Sequence, residues 1–104
     1  MAKLISIYWR DIPAQVVGRQ GRENFKKELE PRFAKAIDRA AMRAGRGSSD
    51  AYLADWRRET ESVSGDLEKI VAERVARLEA EFDDDFLERV VKAGGKVPQQ
   101  QEDS

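Results

Sequence analysis

Five basic side chains share one side of a predicted helix, and their spacing could bind an anion. At 100° of rotation per residue in an α-helix, they fall within an arc of about 80° beside the apolar stripe. A row of like charges at helical spacing is unfavourable by itself. An anionic ligand, an acidic partner or the acidic C-terminal helix would offset it, or the side chains simply solvate the helix and pair internally. This basic stripe comprises Arg32, Lys35, Arg39, Arg43 and Arg46.

Two other groups of residues have types that could do chemistry. The aromatic residues Tyr8, Trp9, Tyr52 and Trp56 could line a ligand pocket or stack on bases. In a chain this short, they could equally form the core. The run 83–85 consists of three aspartates, but it lacks the glycine turn of a calcium loop. We therefore predict no metal site.

The sequence lacks the side chains that most often act in catalysis. The 104 residues include no histidine and no cysteine, so the usual general base and every thiolate are missing. No phosphate-binding glycine loop or nucleophile elbow is present. An enzyme would have to use carboxylates such as Asp38 or Asp55. The composition argues against an enzyme without deciding the question, and it indicates no cofactor.

The elements that must position these residues alternate between strand and helix. Alternation in 4–9 predicts a strand with Ile5, Ile7 and Trp9 on an apolar face and a mixed opposite face. Pro13 interrupts it before a second strand at 14–17, which favours an antiparallel hairpin. Residues 56–63 could form either a third strand or the C-terminal end of a helix. The other predictions are a basic loop at 18–27, helix 31–44, a helical turn at 48–53, a helix from about 67, a restart or kink at 83–85, and a stop at 94–95.

This order predicts an α+β fold in two layers. Its pattern is β-β-α-β-α, with a small sheet made of the antiparallel hairpin and a third strand, covered by two helices. We expect one domain over 1–93 and a disordered tail over 94–104. The N-terminal apolar run is too short for a signal peptide, and no segment approaches the roughly 20 apolar residues of a membrane span. We therefore expect a cytoplasmic protein without membrane contact.

Charge is separated along the chain. Residues 1–46 carry eleven Lys or Arg and five Asp or Glu, a net charge of +6, whereas residues 47–104 carry a net charge of −7. The halves should attract each other, and each could steer an oppositely charged partner. The overall charge of −1 argues against nucleic acid as that partner.

Three segments carry a family resemblance. Residues 8–16 (YWRDIPAQV), 32–42 (RFAKAIDRAAM) and 52–56 (YLADW) resemble a small bacterial family labelled "virulence factor". The family is similar to a domain of a larger staphylococcal virulence protein and also has a free-standing proteobacterial form. The resemblance covers roughly 4–82 and implies no reaction and no catalytic residues. Its signature residues in this sequence are Trp9, Pro13, Gln15, Phe33, Asp38 and Trp56.

Two functional hypotheses follow. The first is a non-catalytic interaction or accessory module that binds a protein partner through charged helix faces. The second is a domain that binds an anion or a small molecule, such as a nucleotide or a folate-like compound, through the basic stripe. The edges of a small sheet also leave a homodimer open.

Overall fold

A computed structural model describes residues 2–46 and 48–97. Three strands precede the first two helices, and a fourth strand precedes the last two, which confirms the predicted α+β class. The strands are β1 (Ala2–Trp9), β2 (Ile12–Gln20), β3 (Glu23–Glu28) and β4 (Trp56–Val63). The helices are α1 (Pro31–Arg43), α2 (Ser49–Ala54), α3 (Leu67–Glu81) and α4 (Asp84–Lys92).

The four strands form one antiparallel sheet in the order β3-β2-β1-β4. The predicted hairpin is present, and the open question at 56–63 is answered because β4 pairs with β1 along its whole length. The sheet has one strand more than predicted. The basic loop predicted for 18–27 is wrong: residues 18–20 complete β2, and β3 begins at Glu23 after a tight turn at Gly21, whose φ is 61°. The sequence of β3 does not show the apolar alternation of a strand, because Phe25 is its one large apolar residue.

A proline marks the start of α1, and aspartate caps mark the starts of α3 and α4. Pro31 opens α1, as predicted. The carboxylate of Asp66 accepts a hydrogen bond from the amide of Lys69 at the start of α3. Asp83 does the same for Phe86 at the start of α4, so the aspartate run marks a helix restart. No helix within 2–46 and 48–97 combines the length and the apolar character that a bilayer crossing requires.

Helix α3 packs on the mixed face of β1, not on the face of Ile5 and Ile7. A Cβ at Gly18 would lie 2.7 Å from a methyl group of Val71, so α3 approaches β2 as closely as glycine permits. Arg74 of α3 reaches the Ser6 hydroxyl on the same side. The core cluster therefore includes Leu4, and it includes Trp9 at the end of the strand. Ile5 and Ile7 face away from α3 because neighbouring residues in a strand alternate.

A two-residue turn joins β1 to β2 and is held by the chain after α4. Arg10 adopts φ 53° in this turn, and its guanidinium donates to the carbonyl of Gly94. The Asp11 amide donates to the Gly95 carbonyl, and the Asp11 carboxylate accepts from the Val97 amide. The first residues of the predicted tail thus contact the hairpin turn, while 98–104 lie outside the described residues.

Candidate functional site

The basic stripe lies against α4 and the end of α3. Arg32 donates to the carbonyls of Glu79 and Phe82 and pairs with Glu30 and Asp84. Because these carbonyls end α3 and have no helical partner of their own, Arg32 satisfies the end of that helix. Its guanidinium is fixed by protein atoms on several sides.

The remaining arginines of the stripe also have partners. Both terminal nitrogens of Arg39 donate to the carboxylate of Glu88 at 2.9 Å. Arg43 donates to the carbonyl of Lys92 at the end of α4, and Arg46 donates to Asp55. Within 2–46 and 48–97, Lys35 has no ion pair or side-chain hydrogen bond. An anion on the stripe would therefore have to displace these internal partners or use Lys35.

Asp55 joins three parts of the chain. Its carboxylate accepts from Nε of Arg10 at 3.1 Å and from Nε of Arg46 at 2.9 Å. Although desolvation works in the opposite direction, the hydrogen bonds from Arg46 and Arg10 hold the pKa of Asp55 below its ordinary value. A carboxylate kept ionised between two guanidiniums is a structural anchor and is poorly suited to general acid–base work near neutral pH.

A second surface, which we call the open face, is formed by the side of the sheet opposite α3. Successive strand residues point to opposite sides, so the residues between those that touch α3 belong to this face. Ile5 is 8% exposed but lies outside the core cluster, and Ile7 and Val17 are half-buried. From one end to the other, the three rungs of the open face are Ser62–Lys3–Arg19–Asn24, Thr60–Ile5–Val17–Lys26 and Arg58–Ile7–Gln15–Glu28.

The cations of the open face differ from those of the stripe. In the part of the chain that the structure describes, its four basic residues are exposed and make no salt bridge. One carboxylate, Glu28, lies on the same face, so the face carries a net charge of +3 around its isoleucine and valine centre. The four cations are Lys3, Arg19, Lys26 and Arg58.

A cleft of about 460 Å³ opens where the sheet meets α1 and α2. Leu29, Ala34 and Ile37 contribute apolar surface, and Tyr52 and Trp56 form an aromatic wall. The ring centroids of these two aromatics are 5.8 Å apart with an interplanar angle of 84°. Gln15, Glu28 and Asp38 supply the polar lining. The volume lies within the range of about 300–1,000 Å³ that is typical of small-molecule sites.

The structure divides the six signature residues between the core and this cleft. Trp9, Pro13 and Phe33 are buried, and the Trp9 indole donates to the Tyr52 carbonyl at 2.9 Å. Gln15, Asp38 and Trp56 line the cleft. The chain positions them by different means: Gln15 lies beside a β-bulge in the β1–β2 pairing, Asp38 on the outer side of α1, and Trp56 at the first position of β4.

The sequence does not indicate that the open-face cations share one surface. Lys26 belongs to a strand that was not predicted, and Arg58 to a segment that was undecided between strand and helix. Only the alternation of Lys3, Ile5 and Ile7 could have indicated them. Among 2–46 and 48–97, no three acidic side chains are grouped in a way that could hold a metal ion. In the aspartate run, Asp83 caps α4 and Asp84 pairs with Arg32.

Comparison with known proteins identifies the family of this chain. A family model described as "Virulence factor" matches residues 7–91. The match leaves out residues 2–6 of β1 and the last residue of α4, and it includes the cleft and most of the open face. No curated protein and no solved structure matches the chain. The chain belongs to the Virulence factor family.

Proposed function

We propose that this domain is a non-catalytic module that binds a protein partner through the open face of its sheet. One observation carries the proposal: four exposed cations surround an apolar centre there and have no acidic partner in the described ranges. The helix faces, by contrast, direct their arginines toward carboxylates and carbonyls of the same chain. The sheet therefore has more unsatisfied charge to offer a partner than the basic stripe has.

The chemistry of this surface defines the class of partner. The half-buried Ile7 and Val17 favour an apolar stripe on the other protein, since burial of apolar surface drives association. The surrounding lysines and arginines favour acidic residues on both sides of that stripe, which steer the encounter. An amphipathic segment with an acidic border combines the two. The face offers one partly buried tryptophan, Trp56, at its end, which is little aromatic surface for stacking nucleobases.

Charge reversal at the two outer strands tests the proposal. Lys26→Glu with Arg58→Glu should weaken binding to a partner purified with the intact chain by at least about tenfold. Both side chains are exposed, so the fold should persist, which a circular dichroism melt checks. The matched control is Lys69→Glu, an exposed cation on α3 in the opposite layer. It should leave the affinity unchanged.

Lysine acetylation in the presence and absence of the partner locates the interface independently. Lys3 and Lys26 should be protected in the complex, while Lys69 and Lys92 should react as in the free chain. Protection confined to Lys35, Lys69 or Lys92 would contradict the proposal. Equal competition by an unrelated single-stranded oligonucleotide would also contradict it, because phosphate alone would then explain the binding.

Anion binding along the basic stripe stays a prediction. The groove between α1 and α4 measures about 300 Å³, and Arg32, Lys35 and Arg39 line it together with Asp84 and Glu88. Titration with phosphate, nucleotides and folates, followed by amide shifts, tests it. Saturable shifts at 35–39 and 88 that disappear in Lys35→Glu would support the anion site. Unmoved signals there would remove it.

A further inference from the structure

The cleft beside Trp56 has an electrostatic character opposite to that of the open face. Among the residues that the structure describes, two carboxylates, Glu28 and Asp38, line it, and no lysine or arginine does. Neither carboxylate has a salt-bridge partner within 2–46 and 48–97, whereas Asp11, Asp55, Glu61 and Glu88 are all paired with arginines. A cation that enters the cleft would meet two negative charges without displacing an internal partner.

The aromatic wall favours the same sign of charge. The faces of tryptophan and tyrosine rings attract cations through their quadrupoles. One face of Tyr52 stacks on Trp9 with ring centroids 5.9 Å apart, and Trp56 stands nearly perpendicular to Tyr52, at 84°. Burial first, and then the negative charge of Asp38, raise the pKa of the Tyr52 phenol. The phenol therefore stays neutral, and the field of Asp38 reaches the aromatic wall.

The rest of the lining fits an apolar stem. Leu29, Ala34 and Ile37 provide aliphatic surface, and Gln15 adds an amide that can donate or accept a hydrogen bond. A metal ion would gain no favourable contact from this apolar surface. An ammonium group on a short carbon chain would use both the carboxylates and the aliphatic wall.

We propose that this cleft binds an organic cation, an ammonium group carried on a short apolar chain. The head lies near Glu28 and Asp38, and the stem lies along Trp56 and Ile37. Two sources share this chemistry, a free alkylamine and the lysine side chain of another protein. The cleft borders the open face and shares Gln15 and Glu28 with its third rung. The two proposals name different ligands and are tested with different probes, so either can fail without the other.

Titration followed by nuclear magnetic resonance tests the site. The probes are 1,5-diaminopentane for the free amine and N-acetyl-lysine amide for the side chain, with 1-pentanol as the uncharged control and glutarate as the anionic one. At least one ammonium probe should shift the Trp56 indole signal saturably and leave the buried Trp9 indole in place. Binding of the diamine alone identifies a free amine, and binding of the lysine amide alone identifies a protein side chain.

Matched variants make the result decisive. Asp38→Asn and Glu28→Gln should each weaken binding at least about fivefold and together abolish it, because each removes one of the two attracting charges. Glu23→Gln, an exposed carboxylate on β3 outside the cleft, should have no effect. Thermal melts establish that the variants are folded. The proposal is overturned if pentanol binds as well as the amines, if the double variant keeps its affinity, or if neither ammonium probe shifts Trp56.

Discussion

At the scale of single residues, most arginines of this chain join distant segments. Arg10 contacts Asp55 and Gly94, Arg32 closes the end of α3, and Arg74 links Glu61 of β4 to Ser6 of β1. The planar guanidinium suits this role because its donors form a fixed fork. A helical projection can place an arginine on a stripe, but it cannot show which carboxylate or carbonyl lies opposite. That is why Arg46 was grouped with the stripe although it pairs with Asp55.

Replacement of Asp55 tests the anchor. Asp55→Asn should lower the free energy of unfolding at pH 7 by about 1–2 kcal/mol, since two charge-assisted hydrogen bonds in a partly exposed site lose their anion. The folded-state pKa of Asp55 lies below its ordinary value, so its contribution is complete above about pH 4 and declines as the pH falls through the folded-state pKa. Urea unfolding from pH 7 to pH 2.5 measures the difference between the two proteins.

The control for this measurement is Asp50→Asn, an exposed carboxylate on α2 that makes no salt bridge within 2–46 and 48–97. It should change the free energy of unfolding by no more than a few tenths of a kcal/mol. A deficit in Asp55→Asn that stays constant down to pH 2.5 would show that the lost stability does not come from the ionised carboxylate.

At the scale of elements, local sequence signals predicted where helices begin better than they predicted which face of a strand is buried. Pro31 and the aspartate run place the start of α1 and the break before α4, because these residue types act on the adjacent backbone. Alternation in β1 separates two faces correctly but does not show which one the helices cover. The close approach of α3 at Gly18 depends on a contact about fifty residues away in sequence, and no local pattern encodes it. Ile5 and Ile7 consequently lie on the open face.

The start of α4 provides a test at this scale. Asp83→Ala should lower the free energy of unfolding by about 0.5–2 kcal/mol, because it removes the acceptor for the Phe86 amide, which lies 2.9 Å from the carboxylate. Asp83→Ser is the matched control, since serine retains an oxygen at the cap and should recover most of the loss. Chemical denaturation measures both. If alanine and serine destabilise the chain equally, the cap does not define the start of α4.

At the scale of the whole molecule, the separation of charge predicted an attraction that the fold contains. The basic helix α1 packs against the acidic start of α4 through Arg32–Asp84 and Arg39–Glu88. Net charge is a sum over many residues, so a wrong prediction for one strand or helix does not change it. The open face and the cleft can be predicted only if the order of all four strands is known. One of these strands, β3, is too polar to be recognised from its sequence. The sequence therefore predicted the fold class, but it predicted neither the cleft nor the surface to which the free cations belong.

The Arg39–Glu88 pair shows whether this attraction stabilises the whole molecule. Arg39→Glu and Glu88→Arg should each lower the melting temperature, because each places like charges where two 2.9 Å hydrogen bonds now join α1 to α4. The double variant restores opposite charges and should recover most of the loss. In 1 M salt, where screening acts within about 3 Å, the differences should shrink. Lys35→Glu is the control on the same stripe, and Glu88→Arg should not rescue it specifically. If the double variant melts at the temperature that the two single variants predict by addition, the Arg39–Glu88 pair does not contribute to the stability of the molecule, and the contact between α1 and α4 depends on apolar packing and on the other polar links, Arg32–Asp84 and Arg43–Lys92.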